Sequence, residues 1–305
     1  MRVVSLIFGL IGLLVVGCGS DLRCRDAEEI PLPGANYFPE GIAGDAEGRL
    51  YVGSVATGRI VRVEPCASDQ AHTVVPEGEL RNVIGLHVDD QLWVCNSDFT
   101  GDHLPEIVAI DRESGAIVAR HSFPEGSGVC NDLTTDETHV YATDSFAHRV
   151  VRVSIGAEPD APAEVWLSDP RFGEGVAAGE FGLNGITWDG AQSLYLANFR
   201  RGEIYRVDVA SRSVDVVRTG LGAPDGIEWL GAGRLLVVEG ALARLSELDL
   251  RAGEIEVLRE GLDFPSTSAV VEGGAWVVQG QLDHLLDPSA GPPSPPFVLT
   301  FVRRP

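Results

Sequence analysis

One pattern of strands recurs six times along this chain, and it narrows the choice of fold more than any other feature. Each copy holds a strand ending in a small turn: RLYVGS (49–54), QLWVCNS (91–97), HVYATDS (139–145), SLYLANF (193–199), RLLVVEG (234–240) and AWVVQG (275–280). A further strand follows each: GRIVRVEP (58–65), EIVAIDRESG (106–115), HRVVRVSI (148–155), GEIYRVDV (202–209), ARLSELDL (243–250) and FVLTFV (297–302). An outer strand comes next in five copies: HTVVPEG (72–78), VARHSFPEG (118–126), EVWLSDP (164–170), VDVVRTG (214–220) and IEVLREG (255–261). Short alternating runs punctuated by Gly and Pro are strand signals, and no helical period lasts long enough to compete. With an inner strand ahead of each copy, the pattern predicts six four-stranded blades. The sixth outer strand is missing at the C-terminus, but EEIPLPG (28–34) matches it. Pairing the two chain ends in one blade closes the ring and hides the sheet edges. The expectation is an all-β, six-bladed β-propeller spanning 28–303 as a single unit.

Inner strands line the central channel of such a ring. Two of them begin alike, in GLNGITWDG (182–190) and GAPDGIEW (222–229), with one polar residue ahead of Gly-Ile. Asn-Gly and Asp-Gly are turn dipeptides, so turn chemistry is the simplest account of the slot. Across the copies, however, the slot holds Glu40, Ile84, Asn131, Asn184, Asp225 and roughly Thr267. The neighbouring strands return to the same end and finish in Ser54, Asn96, Asp144, Asn198, Glu239 and Gln279, all polar. Two rings of oxygen-bearing side chains are therefore expected at one mouth of the channel. Glu40, Asn131, Asn184 and Asp225 offer oxygen alone, with two negative charges and no His or Cys. Such a set suits one hard cation, Ca²⁺ first, Mg²⁺ or Mn²⁺ next and Zn²⁺ less naturally. The competing account is a wet channel in which these groups satisfy one another through ordered water.

The first twenty residues set the compartment. They carry one charge, Arg2, and an apolar run from Val3 to Val16, too short for a comfortable membrane span and in keeping with a signal peptide. The run ends in Val-Val-Gly-Cys, which resembles the lipobox of bacterial lipoproteins. That resemblance implies a signal peptide over 1–17, lipidation at Cys18 and a short tether to residue 27. Gly19 in place of Asp implies retention at the outer membrane, periplasmic or surface-exposed. The formal charge is −22, and all 23 basic residues are Arg. An acidic chain of this kind is a poor partner for nucleic acid or anionic lipid, so membrane contact is expected through the anchor alone. The lack of Lys excludes Schiff-base chemistry.

The motifs PEGIAGDAEGRLYVGS, CNDLTTDETHVYATDS, LNGITWDGAQSLYLAN and APDGIEWLGAGRLLVVE resemble the senescence-marker-protein/gluconolactonase (regucalcin-like) family. That family lies within a wider group of six-bladed calcium-dependent hydrolases that includes paraoxonases and diisopropyl fluorophosphatase. The resemblance runs from about residue 28 to 302. It implies that Glu40, Asn131, Asn184 and Asp225 hold a divalent ion. It also implies that Asp225 activates water or attacks directly on a lactone, ester or phosphoester. Asp132 and Asp144 are the alternative general bases; Asp132 also reads as a turn carboxylate capping backbone N–H groups. Two departures stand out. Sugar-lactonase relatives carry an Arg where this chain has Val129, and the His pair of paraoxonase-like proteins has no counterpart at Ile84 or Asn96. Without the Arg, a rigid fork for carboxylate or hydroxyls is gone. Non-catalytic NHL-type propellers share the strand motif, so a ligand- or protein-binding propeller is the rival expectation, and a purely structural metal is a third.

Two insertions rise from the same mouth. SDFTGDHLPE (97–106) joins the second and third strands of blade two, and DPRFGEGVAAGEFG (169–182) leads into Asn184. The second stretches the step from Asn131 to Asn184 to 53 residues, against 41 from Asn184 to Asp225. Long loops over a propeller mouth shape substrate pockets, which makes Arg171, Phe172 and Phe99 candidate substrate contacts; a Gly-rich spacer is the plain alternative. DPSAGPPSPP (287–296) reads as a linker. Four cysteines lie beyond the leader, Cys24, Cys66, Cys95 and Cys130, with three pairings open to them in an oxidising compartment. Cys95 and Cys130 fall at the same mouth on neighbouring blades, which makes Cys24 and Cys66 the complementary pair. A nucleophilic Cys130 lacks a visible His partner.

Overall fold

The computed structural model describes residues 28–65, 71–126 and 128–304. They form six antiparallel sheets of four strands each. Blades one to five run in chain order from the channel outward. In blade six, Glu29–Pro31 supplies the outermost strand by pairing with Val298–Arg303. The ring is thus closed by the N-terminal strand, and the fold is a six-bladed β-propeller. The signal segment, the lipidation position Cys18 and the Cys24–Cys66 pair lie outside the described residues. Among the described residues no helix is long and apolar enough to cross a membrane.

The core is distributed between blades rather than gathered at a centre. Alternating residues of each strand meet those of the next blade. The cluster between blades three and four holds two aromatic pairs: Tyr141 packs edge-on against Trp166 of its own blade at 4.9 Å between ring centroids, and Phe172 packs against Tyr205 at 5.1 Å. Cys95 and Cys130 form a disulfide between blades two and three, 35 residues apart in sequence. In the chain-entropy account, closing a loop of that size stabilises the fold by about 4 kcal/mol.

Turn chemistry sits at the opposite end of the inner strands from the slot. Asp45, Asp89, Asp136 and Asp189 follow inner strands one to four, and each carboxylate accepts backbone N–H groups of the hairpin it opens. Asp136 also accepts from the Tyr141 hydroxyl at 3.0 Å. These are ordinary Asx-type turns.

Candidate functional site

The slot is made by a bulge that recurs in all six blades. In blade one, Pro39 faces Ser54 and Ile42 faces Val52, so Glu40 and Gly41 together oppose Gly53. The same two-against-one step places Ile84–Gly85, Asn131–Asp132, Asn184–Gly185, Asp225–Gly226 and Ser266–Thr267 in the other blades. Bulges of this kind re-aim a side chain beside functional sites. The register corrects one sequence expectation: the blade-six slot is Ser266, and Thr267 takes the place of the glycine. No glycine, Asn or Asp marks the position there, which is why spacing alone misplaced it by one residue.

The recurring glycine is explained by close approach. A Cβ on Gly41 would lie 2.0 Å from the carbonyl oxygen of Ile84, and one on Gly185 would lie 2.3 Å from that of Asp225. Neither residue has a positive φ. Asn-Gly and Asp-Gly are therefore strand features that let inner strands crowd the axis, not turns.

Four slot side chains face one cavity of about 200 Å³, whose lining includes Glu40, Asn131, Asn184 and Asp225. Each is at most 5% exposed. Glu40 Oε2, Asn131 Oδ1, Asn184 Oδ1 and Asp225 Oδ1 all lack a hydrogen-bond partner among the described residues. Burial first, then Asp225 and Asp132, pushes the Glu40 carboxyl well above its ordinary range. Burial and then Asp132 do the same to Asp225, against a hydrogen bond from Asn184. Buried polar groups in folded proteins normally find partners, and buried carboxylates are costly without a cation. Four orphaned oxygens, two of them on carboxyl groups, fit a hard divalent cation by donor type and by charge. The other two slots contribute none: Ile84 is apolar, and Ser266 donates to the Glu40 carbonyl at 2.8 Å.

The second expected ring is put to another use. Asn96 Oδ1 accepts from Arg81 N, Glu239 Oε2 from Gly222 N and Gln279 Oε1 from Asp263 N. Asn198 spans Phe172 O and Arg201 N, while Ser54 donates to Tyr37 O. Asp144 accepts from Val129 N, Ala147 N and Arg149 Nε at 3.0, 3.2 and 2.9 Å, and lines neither channel cavity. These side chains fasten the loops around the inner strands, so the expectation that both rings face the mouth is corrected.

Asp132 lies deeper in the channel. Its carboxylate accepts from Leu133 N at 2.9 Å and from Ile186 N at 3.0 Å of the next blade. Burial pushes its pKa up to about 7 despite those bonds. It lines a second cavity of about 310 Å³ with His87, Thr187, Trp188, Glu228 and Ser268. Burial, then Asp132, raises Glu228 to about 8, and burial lowers His87 against the pull of Asp89.

Of the three residues expected to touch substrate, Phe99 lines the mouth cavity and two do not. Phe172 is fully buried between blades, and Arg171 binds Asp169 and the carbonyl of Val214. The cause is a helical turn, Pro170–Gly173, capped by Asp169, which rolls both side chains outward from the channel. The stretch 287–296 is likewise preceded by a helical turn, Asp283–Leu286, at the mouth. Leu285 and Leu286 from that turn, with Phe264 ahead of the same blade's inner strand and Phe181 and Phe199 from blade four, line the cavity too. Sequence reasoning missed them because apolar loop residues look like core; their recurrence beside slot positions was the available signal.

The family model described as strictosidine synthase-like, N-terminal, matches residues 23–63, which include the outer strand of blade six and the first three strands of blade one. No curated protein matches the sequence. Among solved structures, virginiamycin B lyase from Staphylococcus aureus is 16% identical, with a TM-score of 0.58, over 82% of this chain and 80% of that one. The PQQ-bound aldose sugar dehydrogenase from Streptomyces coelicolor is 15% identical, with a TM-score of 0.60, over 90% of this chain and 97% of that one. A chain of a nidogen/laminin complex is 19% identical, with a TM-score of 0.57, over 73% of this chain and 86% of that one. At these identities the likenesses establish the propeller, which hosts lyases, dehydrogenases and binding proteins alike.

Proposed function

We propose that the protein is a lipid-anchored propeller that binds one divalent cation and hydrolyses a lactone, ester or phosphoester, as the gluconolactonase-like proteins its motifs resemble do. The observation that carries this reading is the set of four buried, unpartnered oxygens on Glu40, Asn131, Asn184 and Asp225. Ca²⁺ suits the set best, ahead of Mg²⁺, Mn²⁺ and Zn²⁺. When bound, such an ion supplies a Lewis acid for a carbonyl or phosphoryl oxygen.

Hydrolysis of an ester adds water across the acyl C–O bond. The water oxygen bonds to the acyl carbon, the bond to the alkoxy oxygen breaks, and a proton ends on that leaving oxygen. In this reading Asp225 takes the proton of water and returns it. Glu40 adds the second negative charge of the set. Asn131 and Asn184 give neutral oxygens, which keep the total charge of the donor set at two. The segment ending in Cys18 supports export and anchoring at the bacterial outer membrane.

The test is a panel of lactones, carboxylic esters and phosphoesters, offered to protein in Ca²⁺ and to protein treated with EGTA. The proposal expects turnover that EGTA stops and that Asp225→Ala lowers by about 10² or more. A panel left untouched under both conditions removes the hydrolase reading. The second reading is a non-catalytic ligand-binding propeller. It is favoured by the engagement of Asp132 with backbone N–H groups and of Asp144 with backbone N–H groups and Arg149, which leaves Asp225 as the only carboxylate among the expected bases facing the mouth cavity.

A further inference from the structure

We infer that the mouth selects an apolar acyl or alkyl substrate over a polyhydroxylated one; the inference rests on the hydrolase reading and names its substrate class. Above the four oxygens the cavity wall is made of Phe99, Phe181, Phe199, Phe264, Leu282 and Leu285, together with other aliphatic side chains. Among the described residues, no Arg, Lys, His, Ser, Thr or Tyr lines it. A sugar lactone brings several hydroxyls, each of which loses its water on binding and needs a donor or acceptor in return. Beyond the four floor groups this wall has none to offer. An alkyl or aryl body instead gains from leaving water.

The wall is built, not incidental. Phe99, itself 43% exposed, is held by its N–H donating to Asn82 Oδ1, whose Nδ2 in turn donates to Val55 O. Its ring meets Phe181 edge-on at 6.5 Å, and Phe181 meets Phe146 at 5.2 Å. Phe264 stands just before Pro265 with φ +46°, a left-handed conformation that is strained for a bulky residue. The equivalent residue of blade one, Phe38, has φ +42° but buries its ring against Phe297 at 4.9 Å. The same backbone bend thus carries a buried ring in blade one and a half-buried ring in blade six, which packs in part on the same core cluster and in part lines the mouth.

The experiment follows two series of increasing alkyl length: γ-lactones bearing one to six side-chain carbons for turnover, and linear alkanoates from acetate to octanoate for calorimetric binding in Ca²⁺. Glucono-δ-lactone is the polar control. Within the cavity's capacity, kcat/KM and affinity are expected to rise about fourfold per added CH2. Phe264→Ser and Phe99→Ser should both flatten the rise; the second lies in an exposed loop and spares the fold. Turnover that ignores length, or that favours glucono-δ-lactone, overturns the substrate class while the hydrolase reading stands. Alkanoate binding that rises with length and falls in both variants, without turnover of any lactone, supports the apolar site and removes the hydrolase. Neither turnover nor length-dependent binding overturns both.

Discussion

Two rings of Asn, Asp and Glu side chains occupy the same end of this propeller, and they are put to opposite uses. The ring at the ends of the second strands is satisfied: Glu239, for example, takes Arg244 Nε, Ser246 Oγ and Gly222 N on one carboxylate. The ring on the inner strands leaves four oxygens without a partner in an equally buried setting. Residue type does not separate them. What separates them is the bulge, which turns one residue per inner strand out of the ladder toward the axis, while the strand-end residue stays within reach of loop N–H groups. A satisfied buried carboxylate contributes to stability, and an unsatisfied one lowers stability until a cation arrives.

That contrast makes opposite mutational signs the sharpest way to break it. Glu239→Ala strands Arg244 and leaves Gly222 N without an acceptor, and it should cost about 3 kcal/mol in urea denaturation. A loss below half of that removes the structural reading of the second ring. Glu40→Gln should act in the other direction in EGTA, stabilising the metal-free protein by about 1 kcal/mol because the cost of burying an ionisable carboxyl without a partner is removed. Destabilisation in EGTA would mean that Glu40 has a protein partner after all. The smallest effect concerns acid. Burial opposes the charge on Glu239, but the bonds from Arg244, Gly222 and Ser246 outweigh it and hold the carboxyl below its ordinary 4.5. A carboxyl lowered on folding contributes stability in full above its unfolded pKa and loses it as pH falls through the folded value. The gap between wild type and Glu239→Ala should therefore narrow once pH drops below that range. A gap that stays constant down to acid unfolding would contradict the assignment.

The strands, their number and the closure of the ring were legible because period-two alternation and the copied turn signals survive in each blade. The slot was legible wherever a glycine follows it, since the close approach of Gly41 to Ile84 and of Gly185 to Asp225 admits nothing larger. It slipped by one residue in blade six, where Thr267 stands in the glycine's place. The role of the second ring was not legible, because it depends on which loop N–H groups come within reach, and residue type does not record that. Phe172 and Arg171 were placed at the mouth on loop length alone, whereas the Pro170–Gly173 turn sends Phe172 to Tyr205. The aromatic wall escaped for the converse reason: Phe199 and Phe264 sit beside slot strands and look like core until the ring is assembled.

The central claim is that the orphaned oxygens are a cation site. The most direct measurement is metal content and thermal unfolding of the protein after EGTA and after Ca²⁺, with Asp225→Ala alongside. The account predicts one Ca²⁺ per chain and, at a free concentration of a hundred times Kd, a gain of about 2.7 kcal/mol that EGTA reverses and Asp225→Ala abolishes. Wild-type protein that holds no divalent metal and melts identically in Ca²⁺ and EGTA would contradict it.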